Sequence, residues 1–146
     1  MNAHEITSLI SDHCKLFKGV YAANEIFIVK PPAFIIVNTD EKGGNGKHWI
    51  AMFLNKERCE FFDSFGRSPT FYHQYWENNF KRFSKDYVYN SIVLQEPSSD
   101  DCGKFCIYYC ILRNLGVSFE CIVDKEINLD NFLSCLTVTG TALKCV

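Results

Sequence analysis

The spacing of apolar residues changes several times along this chain, and each change marks an element. Ile6, Leu9, Ile10, His13 and Phe17 recur at helical spacing with polar residues between them, which predicts an amphipathic first helix over 6–17. His13 reads there as an exposed or satisfied helical histidine. KGVYAANEIF, residues 18–27, reads as a connector folded over the core, and Pro31-Pro32 closes it. AFIIVNTD, residues 33–40, is short and β-branched between Pro32 and the EKGGNGK loop, so it predicts a central strand. KHWIAMFL (47–54) and CEFFDSFG (59–66), joined through NKER, predict a hairpin.

Next, RSPTFYHQYWENNFKRF places Ser68 at an N-cap, Pro69 at the first helical position and Phe71, Tyr75, Trp76, Phe80 and Phe83 on one broad stripe, with His73 on the polar side. This helix should cover the sheet. YVYNSIVLQ, residues 87–95, alternates and then turns apolar, which predicts a strand that delivers Gln95 to a polar loop. QEPSSDDCGKFCIYYCILRN then tips from that loop into an apolar helix beginning at Cys102 and stopping at Leu115-Gly116. NLDNFLSCL predicts a short final helix before the tail TALKCV. Interleaved in this way, the elements predict an α+β fold: a central mixed, mainly antiparallel sheet flanked by helices, in one domain over 1–146.

Composition narrows the function. At 146 residues the chain is long enough for a self-sufficient core, and thirteen Phe and seven Tyr make that core aromatic. A formal charge of −2 with no long Lys/Arg run argues against a nucleic-acid surface. No run of eighteen apolar residues occurs, and MNAHEITSLISDHC lacks a basic start followed by an apolar stretch, so a soluble, intracellular protein is expected, with no membrane partner. Of eight cysteines, Cys102, Cys106 and Cys110 form a ladder on one helix face, where neighbours four apart are badly placed to bridge one another. That spacing favours a reducing compartment over a disulfide framework. Cys14, Cys59, Cys121, Cys135 and Cys145 are scattered singly, without the paired spacing of a zinc site, so no metal is expected. The three glycines of EKGGNGK lack the spacing of a phosphate loop and precede a strand; they read as a rim against which an extended peptide could lie.

The candidate chemistry centres on Cys102. A cysteine in the first turn of a helix faces unpaired backbone N–H groups and the positive end of the dipole, which favour thiolate. Ser98, Ser99 and Asp100 offer oxygens to cap those amides, and Gly103 permits a close approach to the sulfur. Alone, the residue reads more readily as a small buried side chain opening a helix, because reactive cysteines are far rarer than packed ones. Its partners change that balance. His48 opens one hairpin strand and Asp63 follows the other, so antiparallel pairing brings an imidazole and a carboxylate to one edge. Gln95 precedes the cysteine across a loop, from which its amide could join the Cys102 backbone N–H in an oxyanion hole. Nucleophile, base, orienter and oxyanion donor each have an applicant.

GKHWIAMF, FFDSFG and QEPSSDDCGKFC together resemble the three signature blocks of the adenovirus-type cysteine endopeptidases (adenain), relatives of the SUMO- and ubiquitin-like-processing proteases. The resemblance runs from about residue 19 to residue 114, about two thirds of the chain. It implies an adenain-like cysteine protease fold with the nucleophile at a helix N-terminus. It also implies His48 as general base, Asp63 as its orienter, Gln95 as oxyanion donor, Cys102 as nucleophile and Trp49 as a substrate-binding wall of a narrow cleft. The activity implied is cleavage after glycine in viral capsid or virion precursors, in a host nucleus or cytoplasm or within the virion, by a monomeric enzyme. Two alternatives remain: a deconjugating protease for SUMO, NEDD8 or ubiquitin, which Asp63 in place of the adenovirus glutamate favours, and an inactive relative that binds peptides. Adenovirus enzymes use an activating viral peptide joined through a cysteine upstream of the glutamine, and DNA as a further cofactor. KRFSKDYVYN holds no such cysteine and the net charge is negative, so a peptide activator would bind here without that bond, and DNA binding does not transfer.

Overall fold

The computed structural model describes residues 1–124 and 126–140; the TALKCV tail lies outside the described residues. The first helix, α1 (Ala3–Ile10), opens on a reciprocal cap. Asn2 Oδ1 accepts from the Glu5 backbone N–H at 2.9 Å, and Glu5 Oε2 accepts from the Asn2 N–H at 2.7 Å. Five strands, β1 (Phe17–Tyr21), β2 (Ala33–Asn38), β3 (Trp49–Leu54), β4 (Cys59–Phe62) and β5 (Tyr87–Tyr89), pair in chain order. The inner pairs β2/β3 and β3/β4 are antiparallel, and the outer pairs β1/β2 and β4/β5 are parallel.

Alternation along the strands divides the core in two. Phe34, Ile36, Ala51, Phe53 and Phe62 face α1, α4 (Cys102–Asn114), α5 (Phe119–Val123) and α6 (Leu129–Thr139). Ile35, Val37, Ile50, Met52 and Phe61 face Ala23, Ile26 and the aromatics Trp76 and Phe80 of α3 (Gln74–Phe83), which follows the short α2 (Pro69–Tyr72). The result is the expected α+β architecture, a mixed sheet between two helical layers. The helix of the candidate nucleophile, α4, lies on β3 and is covered by α1 and α6, so Phe105 to Leu112 are buried without interruption. Cys106 and Cys110 sit inside that shell, where burial pushes their thiols far above the usual range.

Four local expectations are corrected. The first helix stops at Ile10 rather than Phe17, and residues 17–21 form an edge strand instead of a connector. Gly19, at φ +133°, lies at the irregularity where the register of β1 against β2 shifts. The aromatic helix breaks at His73, whose backbone is extended and whose Nε2 lies 2.7 Å from the Thr39 carbonyl; Phe71 is consequently exposed rather than on the buried stripe. The strand beginning at Tyr87 ends after three residues, because the Asn90 side chain bonds both the N–H and the carbonyl of Asp63 and turns the chain out of the ladder. Finally, α5 carries no strong signal in the sequence. Among the described residues, six cysteines are free thiols and Cys135 is disulfide-bonded.

Candidate active site

The β3/β4 hairpin and the start of α4 bring His48, Asp63 and Cys102 together from separate parts of the chain. His48 flanks β3 and Asp63 follows β4, so their pairing sets the two ends side by side. His48 Nε2 lies 2.7 Å from Asp63 Oδ1. The Cys102 sulfur is the second group that acts on the imidazole, and the two side chains favour each other's charged forms. The backbone amides of Trp49 and Gly103 also favour the thiolate form of that sulfur.

Burial opposes charge at each of the three groups, and hydrogen bonding outweighs it at each. Desolvation works against the imidazolium, but the bonds to Asp63 and Cys102 raise His48 to about 9. Burial likewise disfavours the Cys102 thiolate, yet His48 and the Trp49 amide lower that thiol below its ordinary value. Asp63 is fully buried, and bonds from His48, the Phe65 amide and Tyr72 hold its carboxyl below the usual range. The arrangement therefore favours a thiolate–imidazolium pair backed by a carboxylate. The capping role expected of Ser98, Ser99 and Asp100 is not seen. Asp101 is the N-cap residue without a side-chain cap bond, and Ser99 Oγ donates to its carboxylate at 2.7 Å.

Asp63 is held by more groups than the sequence indicated. Tyr72 Oη donates to Oδ2 at 2.7 Å, the Arg67 N–H to the same oxygen at 3.2 Å, and the Phe65 N–H to Oδ1 at 3.0 Å. Phe65 also stacks on the His48 ring, with centroids 4.8 Å apart. Tyr72 went unmarked beside the aromatic stripe. Gln95 is buried, with Ser64 Oγ donating to its Oε1 at 2.6 Å and its Nε2 donating to the Ser99 carbonyl at 2.8 Å.

Trp49 and Cys102 line a cleft of about 600 Å³ with Met1, Tyr21 and the loop Gly43–Gly46. The Trp49 indole N–H donates to the Met1 carbonyl at 2.9 Å, and the Met1 side chain lies over Gly103, where a Cβ would come within 3.1 Å of its sulfur. The glycine loop wraps Asp40. A Cβ on Gly44 would stand 2.7 Å from Asp40 Oδ2, the same oxygen that accepts from Gly46 N–H.

Comparison with solved structures gives the same architecture. The protease of African swine fever virus, known from a crystal structure, superposes with a TM-score of 0.55 at 25% identity over 75% of this chain and 44% of that one. The fold is that of an adenain-like cysteine protease. The central domain of an uncharacterized Legionella pneumophila protein matches across 100% of this chain and 98% of its own, with a TM-score of 0.51 at 18% identity, so the fold also occurs at this size.

Among curated proteins, one described as a thiol protease of Acanthamoeba polyphaga mimivirus is 30% identical over 70% of this chain and 37% of its own length. The SUMO-1 cysteine protease of an African swine fever virus warthog isolate is 26% identical over 80% of this chain and 48% of its own length. The chain thus spans less than half the length of these viral relatives. The likeness is to viral cysteine proteases of the broad SUMO-processing superfamily, and not to the adenovirus enzymes in particular. No protein-family model matches the chain.

Proposed function

We propose that this chain is a cysteine peptidase of the SUMO-protease type, with Cys102 as nucleophile, His48 as acid and base, Asp63 as orienter and Gln95 as oxyanion donor. The observation that carries the reading is the buried His48–Asp63 pair, 2.7 Å apart, coupled to Cys102 in the first turn of α4, so that imidazolium and thiolate favour each other. The Cys102 thiolate attacks the scissile carbonyl carbon, and the oxyanion forms against the Cys102 backbone N–H and the Gln95 amide. Collapse of that intermediate expels the amine, which takes the proton from His48 and leaves a thioester. His48 then removes a proton from water, which attacks the thioester and frees the carboxylate and the sulfur.

Trp49 beside the base and the glycine-rich rim opposite support a cleft for an extended backbone without bulky side chains, and hence cleavage after glycine. The relatives named as SUMO-1 proteases, together with an aspartate as orienter, favour ubiquitin-like tails as substrates. The viral source of those relatives supports virion precursors as the second class to test. A peptide activator would be a further requirement to look for.

The test is site-resolved alkylation with limiting iodoacetamide at about pH 6, where ordinary thiols are almost wholly protonated. Cys102 should label ahead of the exposed Cys121, and His48→Ala should abolish that lead. Peptides and SUMO precursors with Gly-Gly before the scissile bond should then be cleaved by the native chain and not by Cys102→Ala. Equal labelling of Cys102 and Cys121 would refute the ion pair.

A further inference from the structure

Asp63 is followed directly by Ser64, and the two side chains serve opposite ends of the site. Ser64 is only 1% exposed and Gln95 3%, so neither can exchange its partners for bulk water. The Ser64 carbonyl accepts from the N–H groups of Leu94 at 2.9 Å and Gln95 at 3.0 Å, which fixes the Gln95 backbone to the turn after β4. Its hydroxyl donates to Gln95 Oε1 at 2.6 Å. On the other side of the amide, Nε2 donates to the carbonyl of Ser99, on the loop that leads into Cys102.

These contacts determine which way the amide faces. A carbonyl oxygen only accepts, so Ser99 requires the NH2 end of Gln95; a flipped amide would set two acceptors against each other at 2.8 Å. The Ser64 hydroxyl, free to donate, secures the oxygen end in the complementary position. Of the two N–H groups on Nε2, one is engaged by Ser99; in the mechanism proposed above, the other serves the oxyanion.

We propose that Ser64 is a positioning residue that holds the Gln95 amide with its NH2 group presented to the oxyanion, so that the Asp63-Ser64 pair aligns the general base and the oxyanion donor from a single turn. This inference rests on the peptidase reading above. Without the hydroxyl, Oε1 would be buried with no donor, and the amide would be free to turn or to draw in water. The catalytic cost falls on the tetrahedral intermediate, which has a full oxyanion, and not on the formation of the thiolate.

The experiment compares wild type, Ser64→Ala, Gln95→Ala and the double variant by two measurements. Peptide turnover with a Gly-Gly substrate requires an oxyanion hole; alkylation of Cys102 by iodoacetamide is a direct displacement and does not. Ser64→Ala should lower kcat roughly 10- to 100-fold with KM changed less than about twofold, a smaller loss than the roughly 100- to 1000-fold that removal of an oxyanion donor itself costs. The rate and pH profile of Cys102 alkylation should be unchanged, and the double variant should be no slower than Gln95→Ala.

Wild-type kcat in Ser64→Ala, losses that multiply in the double variant, or a parallel loss of alkylation would each overturn the role given to Ser64. Failure of the wild type both to turn over peptide and to label preferentially at Cys102 would overturn the peptidase reading, and Ser64's role with it.

Discussion

The charge state of two side chains sets when this site can work. In the proposed mechanism Cys102 must be ionised to attack and His48 must carry a proton to release the leaving amine, so the competent form exists between the two titrations. Cys102 is lowered from the ordinary thiol value and His48 is raised to about 9, so the two shifts open a window whose upper edge lies near 9. The sign at each edge is fixed. As pH rises through about 9, His48 loses its proton, so the leaving group is no longer protonated and kcat/KM should fall. As pH falls below the lowered Cys102 value, the thiol re-forms and the rate falls again. A profile of kcat/KM against pH should be bell-shaped, with its alkaline limb near 9. An alkaline limb near 6.5, the ordinary value of imidazole, would mean that the bonds to Asp63 and Cys102 are not formed in solution.

At the scale of elements, the turn after β4 does more than join two segments. Gly66 has φ +68°, the left-handed region that favours glycine, and its N–H donates to the Asp63 carbonyl at 2.8 Å. A Cβ there would lie 2.9 Å from the backbone carbon and oxygen of Ile92, atoms that no rotamer change can move aside. Gly66→Ala should therefore push residues 91–95 outward and carry Gln95 with them. We expect a loss of about 1–3 kcal/mol in urea denaturation together with a larger fall in peptide turnover than in Cys102 alkylation. Equal losses in both activities would mean that the turn supports His48 more than Gln95.

That turn also shows how far the chain could be read before folding. His48 and Asp63 were legible because a hairpin is a local object: strand period and a short connection place its ends without knowledge of the rest. The helix start at Cys102 was legible from the switch of a polar loop into an apolar run, but the residue stood out only together with His48, Asp63 and Gln95. Ser64, Tyr72 and Asn90 were not, because their partners lie 31, 9 and 27 residues away and each fits its local pattern equally well as a turn, stripe or strand residue. Residues 17–21 failed for a related reason. Phe17 satisfies the helical period of α1 as well as the pairing with Phe34, and only the tertiary partner decides between them.

The whole molecule must dock α4 against the sheet before any of these contacts exist, and one ion pair crosses that junction. Glu60 of β4 is 2% exposed and meets Arg113 of α4 in a two-pronged pair, Nε to Oε1 at 2.8 Å and Nη2 to Oε2 at 2.9 Å; Tyr109 Oη adds a bond to Oε1 at 2.7 Å. The two elements so joined are those that position Asp63 and Cys102. Arg113→Met would keep most of the packing of the side chain but leave a carboxylate buried with much less compensation. Breaking such a pair costs about 3–5 kcal/mol, a large share of the roughly 5–15 kcal/mol that holds a domain of this size together. Replacing Glu60 by Gln in the same chain removes the stranded charge, so the double variant should recover part of the loss. Urea denaturation of the two variants, followed by near-UV circular dichroism and by the Cys102 labelling preference, tests both points. Because Cys102 and His48 lie on opposite sides of the junction, the labelling preference should disappear at the same urea concentration as the tertiary signal. A preference lost well before that signal would mean that α4 leaves the sheet on its own, and that the candidate site opens by local undocking without global unfolding.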